Sequence, residues 1–160
     1  MTQTRSRKLN ALLEQFERIT DPEERSLVLI GYAEKFRGVA PEVARRPYSA
    51  NQRVPFCESE AYAWLIPRSD GTLELSIAVE NPSGISAKAL AVILTETLSG
   101  SPAGEIASIT PDIVTDIFRE NISMGKGMGL TGMVEMIRMQ ALEYSRKAVL
   151  NPLPSGATRA

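Results

Sequence analysis

Cys57 is the residue of this chain with the most distinctive chemistry, and it is the only cysteine among the 160 residues. Pro55 has a fixed φ angle and biases Val54 towards an extended backbone. The polar residues that follow Cys57 do not suit the interior of a core. A free cysteine is often a small, buried and inert hydrophobe, but this setting favours a loop. We therefore expect Cys57 to lie on a loop.

A loop cysteine can act as a nucleophile, and the thiolate is its reactive form. Arg53 is close in sequence and would favour the thiolate, whereas Glu58 and Glu60 would oppose it. The sequence leaves the balance between these charges open.

Composition excludes several classes of function. The 18 basic and 19 acidic residues nearly cancel, so overall charge does not indicate a nucleic acid or an anionic membrane as partner. The chain has no histidine, which excludes Ser-His-Asp and Cys-His catalysis and zinc sites that need imidazole. The single cysteine excludes an intrachain disulfide, and no apolar run suits a membrane span or a secretory signal. We expect a cytoplasmic protein.

The hydrophobic pattern predicts helices, then a short antiparallel sheet, then further helices. Leucines and isoleucines recur with helical spacing before residue 37, and residues 61–66 and 72–79 alternate like the strands of a hairpin. We predict an α+β fold, in which several α-helices pack on a short antiparallel β-sheet. The predicted single domain spans residues 9–148, with a frayed N-terminus at 1–8 and a disordered tail at 149–160.

Individual residues predict where the later helices begin and end. Gly100 suits the left-handed end of a helix that runs through Leu98, and Thr110 is predicted to cap a short helix with Pro111 at its first position. We expect Trp64 and Met133 in the core. Four further methionines near the last helix suit an exposed, adaptable surface: Met124, Met128, Met136 and Met139.

The glycine-rich stretch from Gly125 to Gly132 contains a formal G-x-G-x-x-G pattern. It follows a predicted short helix instead of a strand, which argues against dinucleotide binding. Lys126 is followed by glycine where a phosphate-binding loop needs serine or threonine. Neither nucleotide motif is therefore expected.

Two segments resemble the SufE family of sulfur acceptors. Asn51, Arg53-Val54-Pro55, Cys57 and Ser59, followed by a strand, match the family's acceptor loop, N-R/K-V-x-G-C-x-S. Ser123, Lys126 and Gly129-Leu130 match its S-x-x-R-x-x-G-L element, expected as a flexible loop that opens the last helix near the cysteine loop. The resemblance covers roughly residues 9–145.

The resemblance implies that Cys57 accepts persulfide sulfur from a PLP-dependent cysteine desulfurase and stimulates that enzyme. It further implies delivery of the sulfur to iron-sulfur scaffold proteins, and a chain that is a carrier without a cofactor or metal of its own. No nucleic acid or membrane partner is expected, and the chain is either a monomer or a homodimer. Partner-binding or loop-supporting roles fall to five residues: Arg53, Ser59, Ser123, Lys126 and Gly129.

Three departures from the family pattern keep alternatives open. Phe56 replaces the glycine before the cysteine, Lys126 replaces an arginine, and Asn81-Pro82-Ser83 replaces an acidic element after the second strand. A stiffer loop, or a thiol covered by the Phe56 ring, would leave a docking module that binds a desulfurase without accepting sulfur. A single-cysteine redox enzyme is the other alternative, although the arginine-rich pocket and thioredoxin-like strand order it normally needs are not evident.

Overall fold

The computed structural model describes residues 5–150 and shows the α+β fold predicted from the sequence. Three antiparallel strands in the order β1-β2-β3 are packed by helices. Short 3-10 turns occur at Ala50–Gln52 and Arg119–Asn121. The helices and strands are α1 Arg7–Glu17, α2 Pro22–Glu34, β1 Ala61–Pro67, β2 Thr72–Val79, α3 Ile85–Leu98, β3 Ser101–Pro102, α4 Ala103–Ile106, α5 Asp112–Phe118 and α6 Met124–Leu150.

The first helix begins at Arg7 because Ser6 caps it. The Ser6 hydroxyl accepts a hydrogen bond from the Leu9 N–H (3.3 Å) and donates one to the Thr97 carbonyl (2.9 Å). Ser6 is buried, so the folded part already includes residues assigned to a frayed N-terminus. The predicted tail at 149–160 starts too early, because Val149 and Leu150 still belong to α6. Residues 1–4 and 151–160 lie outside the described residues.

Arg25 on α2 is buried without a carboxylate partner among residues 5–150. Its guanidinium donates to the carbonyls of Phe16 (2.7 Å), Ile19 (2.6 Å) and Ile117 (2.6 Å). These carbonyls lie near the C-terminal ends of α1 and α5, where backbone acceptors lack helical partners and a positive charge is favourable. Arg25 therefore joins three helices.

The hairpin forms as predicted, with Leu65 opposite Leu75. The Asp70 carboxylate closes its turn by accepting from the N–H (3.0 Å) and the hydroxyl (2.6 Å) of Thr72, and these bonds lower the pKa of Asp70. One face of the sheet packs on α3, which is buried on most sides and contributes the centre of the core: Ala89, Leu90, Ile93, Leu94 and Leu98.

Trp64 lies on the other face of the sheet and is only half-buried, so the prediction that it belongs to the core is wrong. Strand alternation places Ala63 and Leu65 inwards and Trp64 outwards. Its ring packs edge-on against Tyr48, with centroids 5.2 Å apart, and stacks near Tyr62. The connector before the cysteine loop therefore covers this face.

The structure differs from the prediction at the end of α3 and at the start of α5. Gly100 does take a positive φ of 85°, but its N–H donates to the Leu73 carbonyl (2.8 Å) and leads into β3 instead of closing back on α3. The Thr110 hydroxyl has no hydrogen-bond partner, and α5 has no side-chain cap. The predicted cap is therefore wrong. The Thr110 backbone carbonyl serves the helix start instead, by accepting from the Ile113 N–H (3.2 Å).

The last helix begins at Met124, so the glycine-rich stretch that was expected as a flexible loop is helical. The Ser123 hydroxyl accepts from the Lys126 N–H (3.3 Å), and its carbonyl accepts from the Gly127 N–H (2.9 Å), which starts the helix early. Further along α6, Gln140 and Tyr144 donate to the β1 carbonyls of Ala63 (3.1 Å) and Leu65 (3.1 Å).

Candidate functional site

Backbone hydrogen bonds fix both ends of the loop that carries Cys57. Arg53 forms an antiparallel β-bridge with Tyr62, and the Val54 N–H donates to the Ala61 carbonyl (2.8 Å). Val54 is buried in the core while Arg53 and Pro55 are exposed, the alternation of an extended segment. Cys57 therefore lies between two anchored strand-like ends.

Within the loop the chain turns tightly around Cys57. The Cys57 carbonyl accepts from the Glu60 N–H (3.2 Å), while Phe56 and Glu60 have positive φ angles of 59° and 51°. Cys57 is half-buried. The Phe56 residue is 78% exposed, so its ring faces solvent.

The first turns of α6 form one wall of the site. A Cβ atom built on Gly129 would lie 3.0 Å from the Cys57 Cα atom and 3.0 Å from the Phe56 carbonyl oxygen. One turn later, a Cβ on Gly132 would lie 2.8 Å from the Pro55 carbonyl oxygen. Only residues without a side chain let the helix come this close to the loop.

The start of α3 forms the opposite wall. A Cβ atom on Gly84 would lie 2.7 Å from the Ser59 hydroxyl oxygen, and the Asn81 N–H donates to the Ser59 carbonyl (3.0 Å). No side chain caps α3. The first backbone N–H groups of α3 therefore favour a negative charge near this end of the helix.

Between these walls a cleft of about 220 Å³ borders the cysteine. We call it the cysteine cleft, and its lining includes Cys57, Ser59, Gly84, Ser86, Lys126 and Gly129. Of the supporting residues predicted from the sequence, Ser59, Lys126 and Gly129 share this cleft with Cys57. Lys126 is exposed, so its charge lies at the open side.

Arg53 and Ser123 lie elsewhere, along a second and larger depression. Arg53 is exposed on the loop, and Ser123 caps α6. The structure therefore divides the predicted supporting residues between two surfaces on either side of the loop.

Two of the three acids near the cysteine loop have partners of their own. The Tyr62 hydroxyl donates to Glu60 (3.2 Å), and burial followed by the negative charge of Glu60 raises the pKa of Tyr62. Glu80 accepts two hydrogen bonds of 2.8 Å from Arg46, which lower the pKa of Glu80. Glu58 remains exposed beside the cysteine.

The larger depression was not assigned from the sequence. This groove of about 890 Å³ is formed by the cysteine loop, α5, the 3-10 turn at Arg119–Asn121 and α6. We call it the methionine groove, and its lining includes Phe56, Ile122, Met124, Met128, Met136 and Met139. The sequence shows the methionines as a cluster, but Val114 and Arg119 carry no signal because only the tertiary fold brings them to the same place.

Within residues 5–150, no cluster of three or more histidine, cysteine or acidic side chains could hold a metal ion. None of the helices there is both long enough and apolar enough to span a bilayer.

The chain matches the SufE domain, described as an Fe-S metabolism associated domain, over residues 10–141. It is 29% identical over 138 residues to an uncharacterized SufE-like protein of Rhizobium etli, an alignment that covers 83% of this chain and 88% of that protein. The chain belongs to the SufE family, and the domain implies a role in iron-sulfur metabolism.

A solved structure shares the fold. The solution structure of a hypothetical protein from Thermus thermophilus superposes with a TM-score of 0.68 at 24% identity, covering 92% of this chain and 100% of that one. The single-domain α+β architecture is therefore that of a known structure.

Proposed function

We propose that Cys57 accepts sulfur from the persulfide of a PLP-dependent cysteine desulfurase and passes it on for iron-sulfur cluster assembly. The observation that supports this most directly is the position of Cys57, half-buried on a loop held between α3 and α6 and open to the cysteine cleft. A cysteine with a structural role alone would be packed in the core.

The transfer is a relative of thiol-disulfide exchange. The Cys57 thiolate attacks the outer sulfur of the desulfurase Cys-S-SH group. A new S–S bond forms at Cys57 while the S–S bond to the desulfurase breaks, and the desulfurase cysteine leaves as a thiolate. The outer sulfur keeps its proton. Because one S–S bond replaces another, no external oxidant or reductant is consumed.

The residues around Cys57 support this step in different ways. Lys126 presents a positive charge at the open side of the cleft, and the uncapped start of α3 presents backbone N–H groups; both suit an anionic sulfur species. Gly129 lets α6 approach the loop, and Gly84 lets α3 approach Ser59. Ser59 fixes the loop through its carbonyl, which accepts from the Asn81 N–H. Arg53 and Ser123 act from the groove side, where a partner would bind.

The absence of a second cysteine shapes the fate of the sulfur. With one cysteine in the chain, a persulfide on Cys57 has no internal thiol that would release the sulfur and form a disulfide. The chain then acts as a carrier that hands its sulfur to a scaffold protein and accelerates the desulfurase by removing product. In this proposal it uses no cofactor of its own and works in the cytoplasm.

Intact-protein mass spectrometry tests the proposal. After incubation with a desulfurase from the same genome and cysteine, we expect the mass of one added sulfur atom, localised to Cys57 and removed by a reductant. Cys57→Ser should bind the desulfurase but gain no sulfur. Sulfur retained by the variant would reject Cys57 as the acceptor.

One observation favours a second candidate, a docking module that has lost sulfur transfer. Phe56 stands where the family pattern has glycine and holds a positive φ of 59°, a conformation that is costly for a residue with a side chain. For a docking module, desulfurase binding would survive in the wild type and in Cys57→Ser, and no persulfide would form in either.

A further inference from the structure

The methionine groove is an exposed apolar surface next to the cysteine loop. Met124 is 89% exposed, Met128 55% and Met139 50%, and Phe56 extends the same surface from the loop. Large contiguous apolar patches are rare on free-standing proteins and mark interaction sites. Methionine side chains are flexible and polarizable, which suits a surface that adapts to a partner.

In the part of the chain that the structure describes, the charges around the groove that lack an ion-pair partner are positive. Arg53 and Arg119 both line it and are exposed, and within residues 5–150 neither forms an ion pair with a carboxylate. The Arg119 guanidinium makes one long hydrogen bond, to the Glu17 carbonyl (3.5 Å). The acid in the lining, Glu135, is already held by Arg138. An apolar floor with two guanidinium groups that have no carboxylate partner within residues 5–150 is complementary to an apolar segment that carries carboxylates.

The backbone conformation of Arg119 is a further sign that the groove has a function. Arg119 has φ 48° and ψ −122°, a conformation that residues with side chains rarely adopt. It directly follows α5 and begins the 3-10 turn that forms one side of the groove. The fold thus maintains an unfavourable backbone conformation at the position that presents one of the two arginines.

We propose that the methionine groove binds an apolar segment bearing carboxylates, presented by the cysteine desulfurase; the identity of this partner rests on the proposed function above. Arg53, Pro55 and Phe56 belong to the cysteine loop and also line the groove. A segment bound there holds the loop from one side and leaves the cysteine cleft on the other side open to the desulfurase persulfide.

Variants on the groove floor test the apolar part. Met124→Gln with Met128→Gln keeps residues that favour helix and changes only exposed side chains. We expect the Kd for the desulfurase from the same genome, measured by calorimetry, to rise about tenfold, as for contacts that dominate an interface. The control is Leu27→Gln on α2, also exposed at 71% but outside the groove, which should leave the Kd unchanged.

Arg119→Glu tests the charged part. At low salt, the Kd of this variant for the desulfurase should be higher than that of the wild type. The difference should shrink as added salt screens the interaction. Arg146→Glu makes the same charge change at an exposed site near the other end of α6 and is the matched control. Thermal melts of each variant establish that the fold is retained.

The outcomes separate this proposal from the proposed function. Persulfide on Cys57 with a Kd that the groove variants do not change would overturn the groove and leave sulfur acceptance standing. A wild-type chain that neither binds the desulfurase nor gains sulfur would overturn both. Groove variants that abolish self-association of this chain, with desulfurase binding intact, would assign the groove to a second copy and overturn the proposal.

Discussion

Gly129 and Cys57 approach so closely that a Cβ atom on the glycine would lie 3.0 Å from the Cα atom of the cysteine. This contact joins α6 to the cysteine loop with no side chain in between. Helix α6, which also contacts β1, therefore determines where Cys57 lies.

Replacing Gly129 with alanine should displace the loop. Overpacking costs about 1–3 kcal/mol and alanine in a helix returns about 1 kcal/mol, so we expect a net loss of about 1 kcal/mol in the free energy of unfolding. The rate at which a thiol reagent labels Cys57 should change with it. Chemical denaturation and labelling kinetics measure the two effects.

Gly125→Ala is the matched control, because a Cβ atom there meets nothing within 4 Å. It should keep the wild-type labelling rate and stabilise the protein by up to about 1 kcal/mol, the usual advantage of alanine over glycine in a helix. Equal behaviour of the two variants would contradict the close packing of Gly129 on the loop.

Phe56→Gly should stabilise the protein. A residue with a side chain pays about 1–2 kcal/mol for a left-handed backbone, part of which is returned by the greater freedom of glycine when unfolded. Because Phe56 is 78% exposed, little buried area is lost, and we expect a gain of about 1 kcal/mol or less. Phe56→Ala keeps the backbone cost and should not show this gain in denaturant titrations.

Arg25→Met should strongly destabilise the fold. The change removes the guanidinium donor from the carbonyls of Phe16, Ile19 and Ile117, two of them in buried contacts, and we expect a loss of about 3 kcal/mol in the free energy of unfolding. Arg18→Met, at the exposed residue that follows α1, is the control and should change little. A small effect at Arg25 would mean that the carbonyls find other donors.

The Arg46–Glu80 pair should make stability depend on pH in the acidic range. Its hydrogen bonds lower the pKa of Glu80 from the usual 4.5, so the folded state holds the proton less tightly than the unfolded state. The contribution is complete above about pH 4.5 and is lost as pH falls through the lower folded-state pKa. Thermal melts of Glu80→Gln and the wild type should therefore differ at pH 7 and converge at low pH.

Much of the fold could be predicted because its elements carry their signals locally. The alternation from Leu73 to Val79 predicts one strand, and residues 72–79 do form β2. The start of α2 has a local signal of the same kind, because the Asp21 side chain caps the helix and Pro22 is its first residue. The beginning of α6 could not be predicted in this way. Glycines argue against helix locally, and only packing against the cysteine loop explains why they are there.

The site was predictable where it is contiguous in sequence. Cys57 and its loop were identified from neighbouring residues, and the loop position is confirmed. The methionine groove needs Arg53, Arg119 and α6 side by side, which only long-range packing produces. Arg25 gave no signal because arginine is seldom fully buried, and its acceptors are backbone carbonyls that every sequence contains.

The contacts of α6 with β1 also cover an open edge of the sheet. β1 is an edge strand, and an edge with free carbonyls is a template for pairing with another chain. Gln140 and Tyr144 occupy the carbonyls of Ala63 and Leu65, and Arg53 bridges to Tyr62 at the start of the strand. The helix that positions the cysteine thus also occupies carbonyls through which β1 could otherwise pair with another chain.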